Sequence, residues 1–217
     1  MKQAAVVGAG TMGNGIAHVF SQYGWQVALI DVAQPALDRG MAAIRGNLDR
    51  QVKKGTLTAA VADEVMGRIS MHLSLEAAGS AEVVVEAASE RPDIKFSLFE
   101  QLDRIANPAA ILATNTSSIS ITEIASRTRR PGQVIGMHFM NPVPVMQLVE
   151  VIRGHATSDA TAAWTMETSR ALGKIPVEVN DYPGFVSNRV LIPMINEAIF
   201  CVMEGVATPE SIDTVMK

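Results

Sequence analysis

Short, nearly continuous apolar runs recur along this chain at residues 4–7, 27–30, 82–87 (EVVVEA), 110–113, 134–137, 148–152 and 175–179. Between several of them, apolar residues fall at helical spacing, as at 12–24, 93–105 and 160–172. Strands without a polar face, alternating with amphipathic helices, predict a mostly parallel sheet covered on both sides. Two places depart from simple alternation. Residues 34–54 read as one long helix, Gly55 breaks it, and Thr58 is placed to cap a second helix to about Gly67. A plain crossover needs one helix, so 34–67 is expected to be an inserted helical hairpin. At Tyr182-Pro183-Gly184 the pattern breaks again, and the residues beyond are helical and apolar: 185–203, then Gly205, then a capped start at Thr208-Pro209-Glu210. A domain boundary is expected at about residue 183. The last residues, Met216-Lys217, fall inside an apparent helix with no C-cap, so the second domain reads as cut short. No internal repeat or low-complexity segment interrupts the pattern.

The first turn carries the first chemistry. Gly8, Gly10 and Gly13 follow the strand at 4–7 with GxGxxG spacing. Gly8 permits a tight turn, Gly10 lets backbone approach a pyrophosphate, and Gly13 lets the helix lie against the strand. Thr11 and Met12 open that helix, whose free N–H groups and positive end face the phosphates. Asp31 ends the second strand, where a carboxylate accepts bonds from an adenosine ribose. A strand before, a helix after and an acid at this distance make a dinucleotide site, where a bare GxGxxG would be only a tight turn. The carboxylate repels a 2′-phosphate, and Val32-Ala33-Gln34 offers no cation to offset it, which favours NAD over NADP. The expected fold class is therefore α/β: a Rossmann-like, doubly wound, mostly parallel sheet over residues 1–183 with the helical hairpin at 34–67, followed at 184–217 by the beginning of an all-helical C-terminal domain.

Bulk properties narrow the partners. A net charge of -4 over 217 residues gives no general attraction to nucleic acid or an anionic membrane, and no apolar stretch is long enough to span a bilayer. The single cysteine, Cys201, cannot form an internal disulfide, which suits a reducing compartment. The N-terminus runs straight into a strand without a leader-like segment, so a cytoplasmic location is expected. Within 38–54, Arg39, Arg45, Arg50, Lys53 and Lys54 outnumber Asp38 and Asp49. This is either a solvated helix face or an anion site for a phosphate-bearing substrate.

Three polar segments sit in apolar surroundings: Thr114-Asn115-Thr116-Ser117-Ser118, Met137-His138-Phe139-Met140-Asn141-Pro142, and Glu150 within Leu148-Val149-Glu150-Val151-Ile152. The first two follow strands, and ligands of open parallel sheets bind beyond the strands' carboxyl ends. Oxidation of an alcohol by hydride transfer needs a base for the hydroxyl proton, and histidine suits it. Glu150, flanked by valines, is costly to bury unless paired; a His138–Glu150 dyad resolves that cost and fixes the imidazole tautomer. Ser117 lacks the GxSxG elbow of a hydrolase nucleophile and suits a hydrogen bond to a substrate oxygen, or else the cap of a helix near 119–126, a task Ser118 or Thr116 could also fill. Asn188, one turn past the boundary, can reach across the cleft. His18, His72 and His155 show no metal-ligand spacing with one another or with Cys201 and read as structural, and Cys201 as a packed helix residue.

On GAGTMGNGIA, Asp31, VVVEAASER, TNTSSI, GMHFMNPVPVMQLVEVI and DYPGFVSNRVLIPMINEA, the chain closely resembles the L-3-hydroxyacyl-CoA dehydrogenase family along essentially its whole length, and within it the bacterial 3-hydroxybutyryl-CoA enzymes. The resemblance implies reversible oxidation of an L-3-hydroxyacyl-CoA to the 3-oxoacyl-CoA with NAD as hydride acceptor. It implies His138 as base held by Glu150, Ser117 and Asn188 gripping the reacting oxygen and the thioester side, and Glu90, Lys95 and Asn115 near the nicotinamide ribose and pyrophosphate. It further implies Lys53 and Lys54 against the CoA moiety, and a homodimer formed through the helical domain of the full-length protein. Phe139-Met140 stands where relatives often carry two phenylalanines, a mild change of shape. Two other readings keep the architecture. A 3-hydroxyadipyl-CoA dehydrogenase needs a cation at the far end of the acyl pocket; Arg189 adjoins Asn188, but neighbours on a helix point apart. A non-catalytic NAD-binding relative is disfavoured by the presence of His138, Glu150, Ser117 and Asn188 together.

Overall fold

The computed structural model describes residues 2–217. Its frame is an eight-stranded sheet in the order β3-β2-β1-β4-β5-β6-β7-β8. The strands are β1 (Gln3–Val7), β2 (Gln26–Ile30), β3 (Ile69–His72), β4 (Val83–Glu86), β5 (Ile111–Thr114), β6 (Val134–Phe139), β7 (Leu148–Arg153) and β8 (Ile175–Asn180). Every pairing is parallel except β6 with β7. The helices are α1 (Thr11–Gln22), α2 (Gln34–Lys53), α3 (Ala59–Gly67), α4 (Pro92–Ile105), α5 (Ile121–Ala125), α6 (Asp159–Ala171), α7 (Ser187–Met203) and α8 (Pro209–Met216).

Side chains of the central strands alternate between two cores. Ala4, Val6, Val83 and Val85 join Ile16, Phe20, Leu37, Ile44 and Leu48 on one face. Ala5, Val7 and Val84 join Phe99, Leu102, Ile121 and Ile124 on the other. This period of two, with both sets apolar, is why the strands read as continuous apolar runs. The connections reverse direction between β1 and β4, and the carboxyl ends of those strands open the crevice where ligands bind in such sheets.

The inserted hairpin forms as expected. Thr58 accepts from the Val61 N–H and starts α3, and Arg45 pairs with Asp63 across the two helices at 2.7 Å. The hairpin is laid against α1, where the Ser21 hydroxyl donates to the Val65 carbonyl. Three features differ from the sequence expectation. β3 is an additional strand, missed by the apolar pattern because ISMH is short and half-polar. β7 runs antiparallel to β6, since only the tight connection 140–147 joins them, too short for a crossover helix. The cap before α5 is Ser120, which accepts from the Glu123 N–H, and neither Thr116, Ser117 nor Ser118 fills that role.

Beyond β8 the chain leaves the sheet. α7 and α8 contain no buried residue, and Cys201 is half-buried on α7 rather than packed in a core. Among the described residues, no helix is long and apolar enough to cross a membrane.

Candidate active site

The turn between β1 and α1 is as tight as its glycines require. Gly8 has φ +101°, and a Cβ there would lie 2.6 Å from the Ala87 carbonyl oxygen on β4's exit. A Cβ on Gly13 would stand 1.7 Å from the Gly8 carbonyl oxygen, so helix and strand can meet only through glycine. At Gly10 the reason is different: nothing of the protein lies within 4 Å of an added Cβ. The protein itself therefore sets no steric demand for glycine at this position, and the open side of the turn is where a phosphate could approach the backbone. Gly10 is also the N-cap of α1 with no side-chain cap, so the helix's first N–H groups remain to be satisfied.

Asp31 leaves β2 half-buried beside this turn. One carboxylate oxygen accepts from the Ala9 N–H at 2.8 Å and the other from the Ala33 N–H at 3.1 Å. Gly8, Gly10 and Asp31 line a cavity of about 490 Å³ whose other wall is apolar, with Leu73, Leu75, Ile94 and Leu98. A slot with an apolar wall and a carboxylate at its mouth fits an adenosine.

A second cavity, about 450 Å³, lies past the carboxyl ends of β4, β5 and β6, lined among others by Met12, Glu90, Lys95, Asn115, Ser117, His138 and Asn188. Its polar residues are placed by the strand ends. His138 on β6 stands directly opposite Glu150 on β7 in the antiparallel register, and His138 Nδ1 lies 2.8 Å from Glu150 Oε2. Glu150 is interior to the sheet and only 2% exposed. Its other oxygen accepts from the Val186 and Ser187 N–H groups at 3.1 and 2.9 Å. Burial pushes this carboxyl up, but the bonds from His138, Ser187 and Val186 outweigh it and hold it below the ordinary glutamate value.

Glu90 organises the loop after β5. Its Oε1 accepts from the Thr116 hydroxyl at 2.6 Å, the Ser117 N–H at 2.8 Å and the Ser118 N–H at 3.2 Å. Partial burial raises its pKa, while the Thr116 and Ser117 bonds and the charge of Lys95 outweigh that and lower it. Lys95, 1% exposed, lies 3.5 Å from Glu90 and is held by both oxygens of buried Glu86 at 2.9 and 2.8 Å. Glu86 also accepts from the Thr114 hydroxyl and the Ala88 N–H. Asn115 Oδ1 accepts from the Phe139 N–H at 2.9 Å, tying the ends of β5 and β6. Asn188 Nδ2 donates to the Ser117 carbonyl at 3.3 Å, so α7 reaches the same loop.

The fold thus gathers His138, Ser117, Asn188, Glu90, Lys95, Asn115 and Met12 around one cavity, with Glu150 buried behind His138, and Gly8, Gly10, Gly13, Thr11 and Asp31 around the turn beside it. Lys53 and Lys54 lie apart, exposed at the end of α2. Sequence reading passes over Glu86 and Asp181, and it names Thr116 only as a candidate helix cap, not as a donor to Glu90. Glu86 is legible only as part of a valine-rich run; a carboxylate there, nine positions before a lysine, is the signal. No group of three His, Cys, Asp or Glu side chains among the described residues could hold a metal ion.

Comparison with known proteins gives one family. Residues 3–182 match the model for the NAD-binding domain of 3-hydroxyacyl-CoA dehydrogenase, and residues 184–217 the model for its C-terminal domain. The chain is 54% identical to a probable 3-hydroxybutyryl-CoA dehydrogenase of Bacillus subtilis over 217 residues, all of this chain and 76% of the relative. It is 47% identical to a 3-hydroxybutyryl-CoA dehydrogenase of Bradyrhizobium diazoefficiens, spanning 74% of that protein. Its fold superposes on the crystal structure of (S)-3-hydroxybutyryl-CoA dehydrogenase PaaH1 from Ralstonia eutropha with a TM-score of 0.94 at 46% identity, covering 97% of this chain and 75% of that one.

Proposed function

Because the chain belongs to the 3-hydroxyacyl-CoA dehydrogenase family, an NAD-dependent one, we propose that it oxidises the 3-hydroxyl of a short acyl-CoA, L-3-hydroxybutyryl-CoA, reversibly to the 3-oxoacyl-CoA, with His138 as the base. The observation that carries this reading is the buried His138–Glu150 pair, 2.8 Å apart, opening onto a cavity shared with Ser117 and Asn188.

The proton logic comes from the pair. A glutamate held below its ordinary pKa is ionised at neutral pH and can only accept hydrogen bonds. His138 Nδ1 is therefore the donor to Glu150, and in the neutral imidazole Nε2 is then the nitrogen that takes the substrate's hydroxyl proton. The imidazolium that forms is stabilised by the carboxylate it already touches, and Glu150 stays charged throughout. The two backbone N–H groups on the other oxygen keep Glu150 from turning away.

NAD, when bound, would supply the acceptor for the hydride that leaves the carbon bearing that hydroxyl. Gly8, Gly10, Gly13, Thr11 and Met12 would hold its phosphates, Asp31 its adenosine ribose, and Glu90, Lys95 and Asn115 its nicotinamide end. Asn188 keeps a second amide N–H for a substrate oxygen beyond the one it gives to Ser117. The Ser117 hydroxyl donates to Glu90 at 3.2 Å, so it must turn from Glu90 to donate to substrate. Lys53 and Lys54, with Arg50 one turn earlier, form a basic end of α2 suited to the phosphates of CoA.

The test is NADH absorbance with NAD and L-3-hydroxybutyryl-CoA. Turnover on that ester supports the reading. NAD binding without turnover on it or on longer 3-hydroxyacyl-CoA esters refutes it.

A further inference from the structure

We infer that Phe185 is a positioning residue for the His138–Glu150 pair, gripping one member with its ring and the other through the two N–H groups that come after it in the chain. The inference rests on the reading of His138 as the base.

Among the described residues Phe185 is the one non-glycine with positive φ, at +49°. That left-handed conformation is disfavoured for any residue with a Cβ, more so for a bulky one, and persists where the surroundings over-determine it. Two contacts at the catalytic pair require it. The Phe185 ring is 3% exposed, and its centroid lies 5.9 Å from the His138 ring with planes at 61°, an edge-to-face contact. The same backbone turn aims the next two N–H groups, those of Val186 and Ser187, at Glu150 Oε1. Oε2 of that carboxylate is the oxygen that receives His138.

Neighbouring bonds keep the segment from relaxing. Upstream, Asp181 accepts from the Ser120 hydroxyl at 2.7 Å and from the Ile121 and Thr122 N–H groups at 3.1 and 2.8 Å. The Phe185 N–H donates to the Tyr182 carbonyl at 2.9 Å. Downstream, Asn188 is tied to the Ser117 carbonyl. Between these anchors a single residue sets both the wall beside the imidazole and the direction of the donors on its partner. Removing the ring leaves a gap beside His138 into which the imidazole can tilt, while the anchored backbone and the dinucleotide turn, on the other side of the crevice, are untouched.

The experiment compares the full chain with Phe185→Leu, Phe185→Gly and His138→Gln. Three quantities are read: NAD affinity by titration, kcat and KM on L-3-hydroxybutyryl-CoA, and the downfield proton resonance of an imidazole N–H bound to carboxylate, identified by its loss in His138→Gln. Glycine adopts the left-handed backbone freely, so Phe185→Gly keeps the chain path if leucine disturbs folding. In both Phe185 variants, NAD affinity is expected within about twofold of the parent. kcat falls about 10- to 100-fold, as expected for a misplaced reacting group, KM moves less than kcat, and the downfield resonance shifts or broadens. Parental kcat and resonance in a folded Phe185 variant overturn the inference, as does a change confined to KM. If His138→Gln itself turns over like the parent, the base assignment has failed; if it is inactive while the Phe185 variants are parental, only the positioning role has.

Discussion

His18 lies in the later half of α1 with no exposed surface. Its Nδ1 has no hydrogen-bond partner among the described residues, and its Nε2 lies 3.4 Å from Gln51. Burial holds its pKa down to about 4 from 6.5, the nearby Gln22 side chain offsets part of the effect, and the charge of Lys174 adds to it. Between pH 6.5 and about 4 the unfolded chain therefore binds a proton that the folded chain refuses, and stability falls as pH falls through that window. At about 1.4 kcal/mol for each pH unit in the window, the loss between pH 7 and pH 4 is about 3 kcal/mol. The perturbation is His18→Gln, which keeps an amide near Gln51 and cannot titrate. Urea unfolding at a series of pH values, parent against variant, isolates the histidine because the carboxylates are common to both. The variant should lose about 3 kcal/mol less than the parent over that span. Parallel stability curves would refute the burial argument for His18.

The glycine turn makes a paired prediction. Gly13→Ala, with its Cβ driven into the Gly8 carbonyl, should destabilise the fold by about 3 kcal/mol or more in thermal or urea unfolding. Gly10→Ala, with open space around it, should cost about 1 kcal/mol or less of stability yet weaken NAD binding by calorimetry. Asp31→Asn should raise KM for NAD about 10- to 100-fold through loss of a charged acceptor and narrow the preference over NADP; an unchanged NAD/NADP ratio of kcat/KM would remove Asp31 from cofactor choice. Glu150→Gln should lower kcat by about 10³- to 10⁴-fold, as when the carboxylate partner of a catalytic histidine is neutralised, with NAD affinity nearly parental; a loss under about tenfold on that scale would show that the carboxylate does little for the base.

What can be read from sequence is what is local or what is costly. GxGxxG and Asp31 announce themselves because turn, helix start and strand end are each set by a few adjacent residues. The His138–Glu150 pairing is legible because a carboxylate among valines demands a partner. The reason it can form, an antiparallel β7, is not legible, since strand direction depends on the short link between β6 and β7. Lys95 is named by the family resemblance, but its partner Glu86 escapes notice because it looks like an ordinary member of its strand, and only the return of α4 to the end of β4 makes the two a buried pair. The helix cap is Ser120 rather than Thr116, Ser117 or Ser118 because α5 starts only at Ile121, the residues before it being drawn into the loop that Glu90, far earlier in the chain, organises. The left-handed Phe185 has no sequence signature, since its conformation is imposed by contacts from β6, β7 and α5.

The central claim is that His138, held by Glu150, takes the substrate's hydroxyl proton. The most direct test is steady-state NADH formation from L-3-hydroxybutyryl-CoA by the parent and by His138→Ala, with NAD binding measured on the same samples. The account predicts a loss of at least about 10²-fold in kcat, the usual contribution of a positioned base, with NAD affinity close to parental. Undiminished turnover in a variant that still binds NAD would contradict it.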